Sequence, residues 1–445
     1  MEDKGPRPVE FRTSGPLRGA APVPGDKSIS HRALICSAMA RGRSRIEGLS
    51  NGHDVAATAA ALKAMGVRIE RERGAWTVDG VGTGGLLQPA GALDMGNSGT
   101  SARLLAGLVA SHPIAAAFSG DTSLSRRPME RVAAPLRRIG AEVVSAPGGV
   151  LPLTVRGLCP AVPRTHRMEV PSAQVKSALL LAALNIPGLT RIVEPVPTRD
   201  HGERMLKLFG ADIAVDGEEI LLRGEAELKP QRLSIPGDPS AAAFLVVAAL
   251  LVPGSELRID GVGTNPMRTG LFELLREMGG DIAVSNPREM GGEPVADLVV
   301  RHSPLKGVDV PPDIAPRMID EFPIFFVAAA LADGRTRAGG LGELRVKESD
   351  RLAVMAEGLR AIGARVEETD EGLAISGTGG DLLPGAATID PRLDHRVAMS
   401  FAVAGLRSLE PVTVADMSAA DTSFPGFAEA LAAAAEGGGG ASPWA

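Results

Sequence analysis

A chain of 445 residues is too long for one ordinary core, so two domains are expected. A net charge of −6 with no long basic run, 3% aromatic residues and no Tyr argue against a nucleic-acid surface and exclude a catalytic tyrosine. The two cysteines, Cys36 and Cys159, lie far apart without clustered histidines, so neither a disulfide framework nor a zinc site is expected, and no cofactor is called for.

In chain order, Met1–Gly19 carries acidic residues and no apolar run, unlike a signal peptide. Pro24-Gly25-Asp26 then ends a short apolar strand, and Lys27-Ser28-Ile29-Ser30-His31-Arg32 opens an Ala/Leu-rich helix. Free N–H groups and the positive dipole end at a helix start suit an anion, and Lys27 and Arg32 add charge. Gly80–Gly85 matches a dinucleotide-binding fingerprint, but Leu86-Leu87-Gln88-Pro89 follows where a helix is required, so it is discarded. Asn97-Ser98-Gly99-Thr100 precedes a helix predicted over Ser101–Ala110, and is either an anion-binding turn or an ordinary cap. Arg126-Arg127-Pro128 is either a solvated loop or a guanidinium aimed at phosphate or carboxylate.

Ser172-Ala173-Gln174 opens another apolar helix, and Thr198-Arg199-Asp200-His201 reads as a polar strand end. Pro236-Gly237-Asp238 repeats the first turn without its cations and reads as a structural echo. Asp320-Glu321 sits in an apolar run, as a helix N-terminal pair or with Asp320 as a general base. Lys347, Glu348 and Arg351 open a helix predicted over Ser349–Ile362, with Lys347 and Arg351 on one face if it reaches back that far. His395-Arg396 starts the last good helix. The longest apolar stretches, Ala241–Val252 and Ile324–Ala332, fall short of the roughly 20 residues of a membrane span. A cytoplasmic protein without a membrane or nucleic-acid partner is expected.

A helix ending in glycine and followed by a strand recurs at Gly66, Gly140, Gly210, Gly279 and Gly363, at intervals of 74, 70, 69 and 84 residues. Each glycine fits a left-handed helix C-cap. The period is too long for a solenoid and fits a small α/β unit used several times. A sixth copy is due near Gly437, where the helix survives but the following strand is missing, leaving that unit incomplete. The two Pro-Gly-Asp turns divide the chain into an N-terminal domain, 23–237, and a C-terminal domain, 1–22 plus 238–436, with 437–445 a disordered tail. Such duplication leads us to expect a cleft between halves.

Taken in order, PGDKSISHR, GNSGTSARL, SLSRRPM, PSAQVKSALLLAAL, TRDH, PGDPSAAAF, MIDEFP, LRVKESDRL and LDHRVAMSF cover nearly the whole chain. The sequence resembles the 5-enolpyruvylshikimate-3-phosphate (EPSP) synthase family. The resemblance implies an α/β (α+β) fold: a two-domain inside-out α/β barrel of six βαβαββ units, three per domain, acting as a monomer. It implies transfer of enolpyruvyl from phosphoenolpyruvate to the 5-hydroxyl of shikimate 3-phosphate, releasing phosphate.

By the same resemblance, Lys27 touches both substrates. Ser28, Arg32, Ser172, Ala173, Gln174, Arg199, Asp320 and Lys347 hold shikimate 3-phosphate. Asn97, Gly99, Thr100, Arg127, Gln174, Arg351 and Arg396 hold phosphoenolpyruvate. Asp320 resembles the base near the 5-hydroxyl, Glu348 the proton donor to the methylene carbon, and Lys27 is counted with the catalytic groups. The family's inhibitor glyphosate occupies the phosphoenolpyruvate pocket, and Gly99, adding no methyl, implies sensitivity. Many relatives end with Lys-Thr-Phe-Pro where Asp421-Thr422-Ser423-Phe424-Pro425 stands here, so this chain resembles the subgroup lacking that lysine. The sister transferase acting on UDP-N-acetylglucosamine uses a loop cysteine, and Ser123–Met129 has none. RNA 3′-phosphate cyclase shares the repeat unit but needs nucleotide-binding features absent from this acidic sequence.

Overall fold

A computed structural model of the chain describes residues 5–72 and 74–436. It resolves into two compact units. The first holds Gly25–Pro236 together with Glu289–Glu293; the second holds the chain before Gly25, Gly237–Arg288 and the chain from Pro294. The expected disordered tail, 437–445, lies outside the described residues.

Among the described residues the first unit contains six α-helices: α1 (Lys27–Met39), α2 (His53–Ala64), α3 (Gly99–Val109), α4 (Glu130–Arg138), α5 (Ala173–Ala183) and α6 (His201–Leu208). The second contains α7 (Pro239–Leu251), α8 (Gly270–Glu277), α9 (Phe322–Leu331), α10 (Arg351–Ala361), α11 (His395–Gly405) and α12 (Phe427–Glu436). They alternate in character. Every residue of α7, α9 and α11 is buried, and α1, α3 and α5 are buried on nearly all sides. Helices buried on all sides lie inside, and these six supply much of the two core clusters. The intervening helices bury one face. The predicted C-cap glycines all adopt positive φ, from +87° at Gly210 to +104° at Gly140, which lets each helix reverse into its strand.

Among the described residues there are six small sheets, three per unit. In the first unit they share one pattern. Arg232–Ser234 pairs parallel with Arg41–Glu47, which pairs antiparallel with Ala75–Val81, which pairs antiparallel with Arg68–Glu72. The sheets begun by Leu93–Asp94 and Thr165–Arg167 repeat it. In the sixth sheet, Ala387–Ile389 pairs parallel with Val412–Val414, and Val9–Phe11 from the N-terminal segment then pairs antiparallel. The sixth sheet thus takes a strand from near the start of the sequence, with Phe11 fully buried, while the strand expected to be missing after Gly437 lies outside the described residues. A strand three residues long with an unremarkable pattern gives no sign of this, because sheet pairing is non-local.

The helix predicted from Ser349 begins at Arg351. Lys347 lies outside it, so the shared helix face with Arg351 does not exist. Gly80–Gly85 is followed by no helix until α3, in keeping with its dismissal.

Candidate active site

In the first unit, the starts of α1, α3 and α5 carry the polar groups. Asp26 caps α1 by accepting from the Ile29 N–H at 2.8 Å. Lys27 is the first helical residue, and its Nζ lies 2.9 Å from Asp54 Oδ2. One turn on, buried Arg32 donates from Nη1 to Ser28 O at 2.9 Å and from Nη2 to Ser177 Oγ at 2.6 Å, while its Nε has no hydrogen-bond partner. Burial lowers its pKa and Arg199 lowers it further, against the pull of Glu203 and Asp26. A buried guanidinium bonded to neutral oxygens beside a second arginine is a place prepared for an anion.

Arg199 is positioned from behind. Lys176 Nζ is buried and lies 2.8 Å from both Glu194 Oε2 and Glu203 Oε1, and it donates to Thr198 O at 3.3 Å, fixing the residue before Arg199. Burial raises the Glu203 pKa against the opposing pull of Lys176.

Ser98 caps α3, and Gly99 is its first residue. A Cβ at Gly99 would meet Arg103 Nη1 at 2.7 Å and Arg127 Nη1 at 2.8 Å, so glycine is what lets the Arg127 guanidinium lie against this turn. Asn97 donates to Asp121 Oδ2 at 2.7 Å. Gln174, in the first turn of α5, donates to Thr100 Oγ1 at 2.9 Å and accepts from Arg103 Nη1 at 2.9 Å. Arg103 also donates to Pro128 O at 2.9 Å, next to Arg127. Ser172 caps α5 by accepting from the Val175 N–H at 3.3 Å. Beneath these helix starts runs a buried chain: His31 Nδ1 to Thr58 Oγ1 at 2.7 Å, then to Ser101 Oγ at 2.7 Å and Ser98 Oγ at 2.7 Å. Burial, with Lys27 and Arg32 nearby, holds the His31 pKa well below its usual value, so the ring is neutral.

The second unit gathers its groups around Arg351, which is 1% exposed. Its Nε lies 2.8 Å from Asp394 Oδ2, its Nη1 3.2 Å from Asp320 Oδ1 and its Nη2 2.6 Å from Glu348 Oε2. Burial opposes the charge, but Asp394, Glu348 and Asp320 together outweigh it and raise the pKa above the usual arginine value. Lys347 Nζ lies 3.7 Å from the same Asp320 oxygen. Arg396 is buried, its backbone N–H donating to Asp394 Oδ1 at 2.9 Å and its Nη1 3.9 Å from Glu321 Oε1. The second Pro-Gly-Asp turn is spent internally: Asp238 accepts from the Ser240 N–H at 2.8 Å and from Arg268 Nη2 at 3.1 Å.

Each unit therefore presents clustered cations at helix starts, and the second adds two carboxylates, Asp320 and Glu348, on one guanidinium. Residues 11–431 match the family described as EPSP synthase (3-phosphoshikimate 1-carboxyvinyltransferase). The chain belongs to the EPSP synthase family. It is 62% identical to the 3-phosphoshikimate 1-carboxyvinyltransferase of Sphingopyxis alaskensis, over 97% of this chain and 99% of the relative. It is 60% identical to that of Novosphingobium aromaticivorans, over 96% and 99%. EPSP synthase from Acinetobacter baumannii, a solved structure, superposes with a TM-score of 0.86 at 43% identity, covering 97% of this chain and 98% of that one. As a member of the EPSP synthase family, the chain is a transferase of the shikimate pathway with 3-phosphoshikimate 1-carboxyvinyltransferase activity. Among the described residues no helix is long and apolar enough to cross a membrane.

Two residues of this candidate site escaped the sequence reading, Asp54, which holds Lys27, and Asp394, which holds Arg351; Arg103, noted only as lying beside the Asn97–Thr100 turn, proves to hold Gln174. Asp54 looks like an ordinary acidic first-turn residue of α2. Asp394 looks like a cap, which it also is. A buried cation demands a counter-charge, but the sequence does not say which carboxylate supplies it.

Proposed function

We propose that the groups gathered at the helix starts bind shikimate 3-phosphate and phosphoenolpyruvate, and that Asp320 and Glu348 carry the protons. Ser172, Ala173, Gln174, Ser28, Arg32, Arg199 and Lys347 hold shikimate 3-phosphate. Asn97, Gly99, Thr100, Gln174, Arg127, Arg351 and Arg396 grip phosphoenolpyruvate, and Lys27 serves both. In the addition step the 5-hydroxyl oxygen bonds to C2 of phosphoenolpyruvate, Asp320 takes the hydroxyl proton and Glu348 delivers one to C3. In the elimination step C3 returns a proton and the C2–O bond to phosphate breaks. The ring of cations stabilises the charge that develops on carboxylate and phosphate.

The observation that carries this reading is the pair of carboxylates, Asp320 and Glu348, held by separate nitrogens of one buried arginine. The test is phosphate release by the purified protein with both substrates, against each alone. Release that needs both supports the reading, and release with UDP-N-acetylglucosamine in place of shikimate 3-phosphate overturns it. The three sheets around three buried helices in each unit support the finer architecture, an inside-out barrel of βαβαββ repeats, and the protein acts as a monomer.

Asp421-Thr422-Ser423-Phe424-Pro425 stands where many relatives end with Lys-Thr-Phe-Pro, which supports placing this chain in the subgroup without that lysine contact. Gly99 makes the protein glyphosate-sensitive. In Gly99→Ala the new methyl displaces the flexible ends of Arg103 and Arg127 rather than backbone, so the fold survives. One weakened charge-assisted hydrogen bond is worth about 1.5–3 kcal/mol, on the order of ten- to a hundredfold. The inhibition constant for glyphosate and the KM for phosphoenolpyruvate are expected to rise within that span. Unchanged inhibition would remove Gly99 from the pocket.

A further inference from the structure

The helix α4, the strand Thr165–Arg167 and the first turns of α5 line a cavity of about 160 Å³ in the first unit. Of its lining, Ser172 alone belongs to the candidate active site. Arg131, Ala134 and Arg138 reach it from one face of α4, as their spacing of three and four requires. With Arg167 they set three guanidiniums against the single carboxylate of Glu169. Ala134, Val175 and Leu179 supply apolar wall.

His166 also lines the cavity. It is 2% exposed, and neither ring nitrogen has a hydrogen-bond partner. Burial, then the charges of Arg138 and Arg164, lower its pKa to about 4. At neutral pH the uncharged ring offers one donor and one acceptor. Buried polar groups are rarely left without partners, because each costs about 1–3 kcal/mol. The volume is close to the roughly 150 Å³ that accommodates a benzene ring.

We propose that this cavity binds a small carboxylic acid built on a single six-membered ring. The ring lies against Ala134, Val175 and Leu179, the carboxylate faces the α4 guanidiniums, and His166 gains a hydrogen-bond partner. Occupancy also reaches the active site. Ser172 and Val175 both line the cavity, and the cap bond between them, at 3.3 Å, fixes the first turn of α5. The ligand is therefore expected to change the KM for shikimate 3-phosphate and leave kcat alone, a part of the inference that rests on assigning Ser172 to that substrate.

The probe is benzoate, titrated calorimetrically into the full-length protein. Saturable binding with a Kd on the order of millimolar is expected for so few atoms. Neutral benzamide should bind at least tenfold more weakly, since it loses the charge-assisted bonds. Ala134→Phe fills the cavity and should abolish benzoate binding while phosphate release persists. Arg138→Ala, a surface change, should weaken binding several-fold and carries the test if the phenylalanine variant does not fold.

Absence of saturable binding overturns the site. Equal binding by wild type and Ala134→Phe also overturns it, because benzoate then sits elsewhere. In kinetic assays benzoate should shift the KM for shikimate 3-phosphate in the wild type but not in Ala134→Phe. Binding at the cavity with an unmoved KM overturns the link through Ser172 and leaves the site standing. Phosphate release without benzoate reports separately on the proposed function.

Discussion

Glu348→Ala and Asp320→Ala are each expected to lower kcat by on the order of 10²–10⁴, the usual contribution of a positioned general acid or base. Both carboxylates meet Arg351, Glu348 Oε2 at 2.6 Å from Nη2 and Asp320 Oδ1 at 3.2 Å from Nη1. Neither is deeply buried: their side chains are 13% and 17% exposed, so each can face a substrate. Removing one leaves Arg351 with its remaining partners, including Asp394 at 2.8 Å, so the protein should fold. The two variants are distinguishable. Glu348→Ala removes the proposed donor to C3 and should suppress uptake of solvent deuterium into the methylene group. Asp320→Ala should slow turnover through the hydroxyl proton instead. A Glu348→Ala protein with kcat within tenfold of wild type would remove Glu348 from the chemistry.

Asp394→Ala is expected to cost roughly 3–5 kcal/mol of stability, the span for removing one partner of a buried ion pair. Asp394 is fully buried and serves four donors. It accepts from Arg351 Nε at 2.8 Å and Nη2 at 3.4 Å, from Ser349 Oγ at 3.1 Å and from the Arg396 N–H at 2.9 Å, the last as the cap of α11. The alanine variant loses the cap and a buried counter-charge together. Asp394→Asn keeps the shape and part of the hydrogen bonding, so it should fall between. The urea midpoint read by circular dichroism measures the loss. Arg351 and Arg396 are both proposed phosphoenolpyruvate ligands, so the KM for that substrate should rise in either variant while the KM for shikimate 3-phosphate moves less. A midpoint unchanged in Asp394→Ala would mean that Arg351 is balanced by Glu348 and Asp320 alone.

The sequence was most legible where the signal is local. Left-handed glycines at Gly66, Gly140, Gly210, Gly279 and Gly363 follow from the need to end a helix and reverse the chain, which few side chains allow. The all-apolar character of Ala241–Val252 and Ile324–Ala332 dictates interior helices, and α7 and α9 are buried throughout. Helix starts rich in Lys, Arg, Ser and Gly suit anions, because free N–H groups and dipole ends lie there. Those same patterns carried the family resemblance.

What the sequence by itself determined is thus the kind of element at each place and the residue types at its ends. Only the tertiary structure decided partners. It set Val9–Phe11 beside Val412–Val414, some 400 residues along the chain, because an open sheet edge is satisfied by whichever strand the fold brings to it. It grouped Glu289–Glu293 with the first unit, and it gave Lys27, Gln174 and Arg351 their fixing contacts in Asp54, Arg103 and Asp394. It placed Lys347 off the helix yet near Asp320. Helix and turn chemistry is written in neighbouring residues; pairing of buried charges and strand edges depends on distance in space, which sequence position does not record.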